Sequence, residues 1–279
     1  MKNLKLLIAI VFVLPIVSQQ ATAQKKVLLK YNLKAGDKYI THSVTNQDIT
    51  MQAQGQTITM NQVITSDLTT EVKKATSDSI VTANTMDKMT MDQTMFGQEL
   101  KYDSSDPSTY ASGRGKQIGD ALNKMIGKVY SITMDRLGNI GNYDLGNLLK
   151  DGGKVSGNLK SGSSYIIFPK HKIRVGDSWE ADIKPMKTDN MQVHMKYALK
   201  KLAGKKATIA IDGTITANKV NGNNLNINGT ISGEAVVDVK TGWTKSSQLS
   251  QDVKMKMERN GMEIPMEISS TIKTTSEKK

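Results

Sequence analysis

Leu225-Asn226-Ile227-Asn228-Gly229-Thr230-Ile231-Ser232-Gly233-Glu234-Ala235-Val236-Val237 has an apolar residue or glycine at every odd position and, Val236 apart, a polar one at every even position. A helix would smear that set round its circumference, whereas a strand gathers it on one face. The parity extends both ways, through Ile209, Ile211 and Ile215 before the stretch and Leu249, Val253, Met255 and Met257 after it. Asn-Gly pairs at Asn221-Gly222 and Asn228-Gly229 are hairpin-turn signals, as is Asp238 to Trp243, and Asn260-Gly261 precedes a final strand from Met262 to Ile272. Gly229 and Gly233 share the apolar parity, where a missing side chain permits a bend or a close approach, so they are expected to curve the sheet. The reading is a long, curved antiparallel sheet with one apolar face.

The chain carries a related signal twice. Leu33-Lys34-Ala35-Gly36-Asp37-Lys38-Tyr39 returns as Ile173-Arg174-Val175-Gly176-Asp177-Ser178-Trp179. In each copy an apolar residue precedes a Gly-Asp turn, and an aromatic two positions later begins an alternating run. Gly36 and Gly176 are expected to take positive φ, and Tyr39 and Trp179 to anchor a core that has few other aromatics. The fold class predicted is mainly β, with two related meanders and one or two short helices between them. The first meander occupies residues 24–103, opening with a strand at Val27–Lys30. It includes a hairpin that pairs Asp48–Met51 with Thr57–Met60 about Gln54-Gly55, apolar positions Ile64, Leu68 and Val72, a polar turn at Lys73–Ser79, and a strand from Ile80 to Met95.

Residues 104–164 change character and read as an insertion. Leu122, Met125 and Ile126, and then Leu145, Leu148 and Leu149, have i, i+3, i+4 spacing and predict two short helices. Val129–Met134 and the segment to Ile140 predict a strand, a glycine turn and a second strand. Gly113-Arg114-Gly115-Lys116 reads as a flexible loop, and the Gly and Ser residues of 152–164 as a connection to the second meander, residues 165–279. The two halves can equally form one continuous domain, 24–279.

The first 23 residues have the form of a secretory signal peptide. Lys2 and Lys5 make the positive end, Leu6–Val17 an apolar run too short to span a bilayer, and Ala21 and Ala23 a small-residue cleavage site. The mature chain is therefore expected in the periplasm or outside the cell, with no transmembrane segment once the leader is removed. It has no cysteine, so neither disulfides nor lipid attachment at a cysteine can contribute. The formal charge is +12, but the lysines are dispersed along the strands and form no basic block. That pattern excludes a nucleic-acid role and leaves a weak attraction to anionic envelope surfaces.

The leader, the paired Gly-Asp-Tyr and Gly-Asp-Trp segments, the Tyr130–Ile140 hairpin and the Asp238–Trp243 turn together resemble a family of uncharacterised exported β-rich proteins of Gram-negative bacteria. The resemblance covers nearly all of the mature chain and implies compartment and fold, but no activity and no site residue. In architecture alone the reading is similar to the half-barrels of periplasmic lipoprotein carriers and lipid carriers.

Motifs for catalysis fail in context. Lys240-Thr241-Gly242 matches a strand motif of serine β-lactamases, but Ser270-x-x-Lys273 follows it, where that chemistry requires the nucleophile first and at a helix start. No Gly-x-Ser-x-Gly accompanies the three histidines, His42, His171 and His194, and no phosphate-binding loop is present. The chain is read as non-catalytic, with no cofactor. Its distinctive inventory is 16 methionines. Unbranched, polarizable side chains suit an adaptable apolar lining, so the leading reading is an envelope binding protein for an apolar small molecule, a lipid or a protein partner. Met255, Met257, Val237 and Ile231 are the candidate lining. The alternative is a copper or silver site using Met86, Met89, Met91 and Met95, since thioethers favour soft ions. A third reading is an envelope structural protein with no small ligand.

Overall fold

The structure, a computed structural model, describes residues 25–53, 55–146, 165–183, 191–220, 223–259 and 262–279. The leader, the helix expected at Leu148-Leu149, the 152–164 connection, and the turns at Asn221-Gly222 and Asn260-Gly261 lie outside these residues.

Among the described residues, twelve antiparallel strands form one open sheet. In chain order they are β1 (Lys38–Ala53), β2 (Gln56–Ala75), β3 (Ser79–Met95), β4 (Gln98–Asp103), β5 (Val129–Asp135), β6 (Ile140–Asp144), β7 (Ser178–Ile183), β8 (Gln192–Ala203), β9 (Lys206–Val220), β10 (Asn223–Asp238), β11 (Thr244–Arg259) and β12 (Met262–Lys278). Across the sheet they run β6-β5-β3-β2-β1-β12-β11-β10-β9-β8-β7, with β4 paired to the later part of β3. The first strand therefore lies mid-sheet. The chain meanders out to one edge and resumes at the opposite edge with β7. It then meanders back until β12 pairs with β1, from Tyr39 opposite Lys278 to Met51 opposite Met266. The two predicted meanders are wings of a single sheet. Within 104–164, β5 and β6 simply extend the first wing, because Ser79–Thr85 of β3 pairs with β5.

The two Gly-Asp segments fold alike, bond for bond. Gly36 N–H donates to the Val72 carbonyl at 2.8 Å and Gly176 N–H to the Leu199 carbonyl at 2.8 Å. Val72 and Leu199 return the bond to the Asp37 and Asp177 carbonyls, at 2.8 and 3.0 Å. Each carboxylate accepts from the backbone three residues earlier, Lys34 N–H at 2.9 Å and Arg174 N–H at 3.0 Å. Both glycines take the expected positive φ, +87° and +96°. In each copy the turn pins the start of a strand to the end of the next one.

What each turn presents to the core also matches. Leu33 and Ile173 are buried before it, and Tyr39 and Trp179 after it. Tyr39 stacks on Trp243 with ring centroids 4.1 Å apart, and Trp179 on Tyr197 at 5.5 Å. The Tyr39 hydroxyl is buried and has no hydrogen-bond partner among the described residues. Its pKa is pushed up to about 12, by burial first and then by the charges of Asp37 and Asp238. Tyr39→Phe removes an unsatisfied group while keeping the ring, so it should leave stability unchanged or raise it by up to about 1 kcal/mol. A lowered urea midpoint for that variant would show that the hydroxyl has a partner in solution.

The core is built where two non-strand segments cross the inside of the sheet. Residues 25–37 do not form the expected strand. Val27 makes a single bridge, to Ile173, and the rest runs extended with Leu29, Tyr31 and Leu33 buried and Leu28, Lys30 and Asn32 exposed. The alternation was real, but its backbone bonds go elsewhere, Tyr31 N–H to the Arg136 carbonyl and Asn32 N–H to that of Thr241. The second segment, residues 165–177, buries Ile166, Phe168 and Ile173 against the first. Their shared cluster takes Met134 of β5 and, at the far end of the strand order, Trp179 of β7 and Leu199 of β8. One cluster can touch both ends of the order only if the sheet curls round it.

Arg136, in the β5–β6 turn, fastens this arrangement. Its guanidinium donates to the carbonyls of Tyr31 at 3.1 Å, Leu33 at 3.2 Å and Thr76, the last at 2.8 Å from Nε. Three carbonyls of two segments converge on one planar fork, which a lysine cannot reproduce. Arg136→Met should cost roughly 3 kcal/mol by urea unfolding, since hydrogen bonds from a charged donor are worth about 1.5–3 kcal/mol each and part of the loss is recovered by solvent. An unchanged midpoint would mean that the fork is dispensable.

Three local expectations are corrected. The helix, α1, spans Gly113–Leu122, earlier than the apolar spacing implied, so 113–116 is its first turn rather than a loop. A 3-10 turn at Pro107–Tyr110 precedes it, and a Cβ on Gly119 would lie 2.5 Å from the Tyr110 ring. The helix glycines thus make room for Tyr110. Asn228-Gly229 is not a turn either; it lies within β10, paired to β9 and β11. Gly233, by contrast, meets the expectation of a tight spot. Its φ is +150° and an added Cβ would come within 2.1 Å of the Gln248 carbonyl oxygen, so β11 crosses β10 there more closely than any side chain allows.

Candidate binding face

The sheet has two chemically different faces. The outer one carries ion pairs such as Lys254 with Glu267 at 3.1 Å and Lys256 with Glu263 at 3.5 Å. Two histidines also lie there, exposed, His42 at 2.7 Å from Asp67 and His194 at 2.8 Å from Asp182. The hydrogen bond to Asp182 raises the His194 pKa above its ordinary value. Each is held to a carboxylate on the outer face, away from the core.

The inner face is the one the core occupies, and it extends well beyond it. At the core end it is closed. A cavity of about 90 Å³ lies there, lined by Tyr31, Tyr165, Trp243, Thr70 and Asn84 among others. Thr70 donates to Asn84 at 2.8 Å and Asn84 to Thr82 at 3.0 Å, so its polar groups are satisfied. Its volume is well below the roughly 300–1,000 Å³ of ordinary ligand sites.

Farther along the strands the inner face opens. Register places Ile227, Met255, Met266, Met51 and Ile58 in one row across β10, β11, β12, β1 and β2. One pleat nearer the core lie Val253, Ile268, Ile49, Met60 and Met95. Most of these are half-buried. Beside them, between β3, β4 and α1, is a cavity of about 460 Å³ lined by Met60, Met95, Leu100 and Ile118, by Gln93 and Gln117, and by the charged residues Glu99, Lys101 and Arg114 among others. Tyr102 holds α1 in place, packing on Tyr110 at 5.3 Å and donating to Asn123 at 2.8 Å. This volume lies within the range for a small-molecule site.

One further pleat toward the core is a polar row. Gln251, Ser270, Gln47, Gln62 and Gln93 are successive cross-strand partners on β11, β12, β1, β2 and β3. Gln47 Nε2 donates to Ser270 Oγ at 3.1 Å and Gln62 Nε2 contacts the Met91 sulfur at 2.7 Å. Among the described residues, no charged side chain shares the inner register between the level of Lys278 and the Met255–Met266 row.

Of the residues named from sequence, Met255 lies half-buried on this open face, Ile231 is half-buried but packs against the closed core, and Met257 shares the register opposite Ile264. Val237 does not line it; fully buried, it belongs to the closed core. Met86, Met89, Met91 and Met95 all take the inner register of β3, but the outermost two are separated by about 30 Å along the strand, so only neighbours could share an ion. The glutamine row as a whole is not visible in the sequence, because its members are far apart there. The symmetric placement of Gln47 and Gln62 about the Gln54-Gly55 turn was the available signal.

A family model for a family of unknown function (DUF6263) matches residues 157–244, the stretch that includes β7 to β10. No curated protein matches the chain. Among solved structures, lipovitellin, in a study of lipid–protein interactions, aligns over 88% of this chain and 25% of its own at 10% identity, with a TM-score of 0.54. The chain thus spans about a quarter of lipovitellin's length, and at that identity the likeness is one of fold. The translocator domain of the autotransporter NalP from Neisseria meningitidis aligns over 88% of this chain and 89% of its own at 7% identity, with a TM-score of 0.26. An outer membrane channel from Pseudomonas putida F1 aligns over 88% and 97% at 7% identity, with a TM-score of 0.21. Scores this low carry no argument. The polarity of the sheet is also opposite to that of a membrane barrel, which turns its apolar face outward to lipid.

Proposed function

We propose that this chain is a non-catalytic binding protein that holds an apolar small molecule or lipid on the open part of its inner face. The observation that carries the reading is the half-buried Met and Ile surface, whose own register holds no charge, adjoining the 460 Å³ cavity on a sheet whose other face is charged. Burying such a surface is favourable at roughly 25 cal/mol per Å², and flexible thioethers adapt to ligands of varied shape. The lipovitellin-like fold is compatible with this use. Lys2, Lys5, the Leu6–Val17 run and Ala23 support export, with the mature chain working in the periplasm or outside the cell. The test is a titration of the mature chain with the neutral solvatochromic dye Nile red. A saturable blue shift with about one dye per chain is expected, and emission unchanged from buffer would refute the reading.

A further inference from the structure

The glutamine row says what kind of apolar ligand this face accepts. Resting on the function proposed above, we infer that the ligand is an uncharged amphiphile, whose ester, amide or hydroxyl group lies along Gln251, Ser270, Gln47, Gln62 and Gln93 while its hydrocarbon runs toward Met51 and Met266.

Three observations converge on this. First, the row is continuous over five adjacent strands, about 19 Å at the usual strand spacing, and it presents amide donors and acceptors without any formal charge. Few of its groups satisfy each other. Gln47 donates to Ser270 and Gln62 to a thioether, a weak acceptor, so amide capacity remains for a ligand.

Second, the surface on the open side of the row is apolar at the next two inward positions of β1, Ile49 and Met51, and Gln93 opens into the 460 Å³ cavity beside Met60 and Met95. A ligand lying along the strands therefore meets one polar level followed by hydrocarbon. That is the profile of a neutral acyl lipid.

Third, the chain has 38 lysines and arginines, yet none shares the inner register at these levels among the described residues. A carboxylate or phosphate laid on these rows would lose its hydration and gain no cation from their register, and Lys101 and Arg114, which line the adjoining cavity, stand there with Glu99. A neutral carbonyl or hydroxyl loses much less and regains it from the amides.

Nile red bound to the full mature chain is displaced by monoolein, by oleate at pH 8, and by octadecane delivered from cyclodextrin. Monoolein is expected to displace at a concentration at least tenfold below the other two. The double variant Gln47→Leu with Gln62→Leu should still bind Nile red and keep its β-sheet circular dichroism, but should need as much monoolein as octadecane. If oleate competes as well as monoolein on the wild type, or if the double variant keeps the monoolein preference, the row is not the head-group site and the inference falls, while dye uptake still upholds the apolar face. If the wild type takes up no dye, the function proposed above falls with it.

Discussion

Trp179→Ala should lower the stability of the protein by about 3–5 kcal/mol, the usual range for truncating a large buried aromatic. Tyr39→Ala should do the same. Both side chains are nearly fully buried, both follow a Gly-Asp turn with the same bonding, and both stack on a second aromatic across a strand boundary. Trp179 belongs at the upper end, because its Nε1 donates to the Ile167 carbonyl at 2.7 Å and truncation orphans that oxygen within the second inner segment. Tyr39 has no such bond to lose. Its truncation instead takes the stacking partner from Trp243, whose own Nε1 donates to Ser276 on β12. Urea midpoints for both variants, read by far-ultraviolet circular dichroism, make the check. A variant with the wild-type midpoint would show that the two turns are not equivalent core anchors.

Met255→Lys or Met266→Lys should weaken Nile red binding at least about tenfold, since an unpaired charge on this face must be desolvated by the ligand that covers it, at a cost of a few kcal/mol. The fold should survive. Each methionine is only half-buried, so the lysine can turn its ammonium to water while its stem lies on the sheet. Val237→Lys is the contrast. There the same substitution falls in a closed core with no exposure, and the expected result is unfolding rather than a folded protein without affinity. Lys254→Ala, on the outer face, should change neither quantity. Equal dye binding by Met266→Lys and wild type would remove the inner face from the account.

The sheet could be read directly from residues such as Leu225 to Val237, because strand parity is local and each strand repeats it. The Gly-Asp turns were legible for the same reason: the φ they need and the carboxylate that caps them lie within four residues. Two things were not. Leu29, Tyr31 and Leu33 alternate as a strand does, and nothing local distinguishes a chain that joins a ladder from one that crosses the core and bonds to Arg136 and Thr241. The glutamine row depends on register between strands as distant as β3 and β11, and it exists only once β12 has paired with β1. Val237 and Met255 share a face, so strand parity alone does not tell them apart. What separates them is position along that face, set by how far the inner segments reach.

The most direct measurement is native mass spectrometry of the full mature chain isolated from the cells that make it, before and after extraction with organic solvent. The account predicts a complex with an uncharged acyl lipid that extraction removes, leaving the bare chain able to take up monoolein. A chain that carries only copper or silver, or one that is bare at isolation and stays bare with every neutral lipid offered, would contradict it.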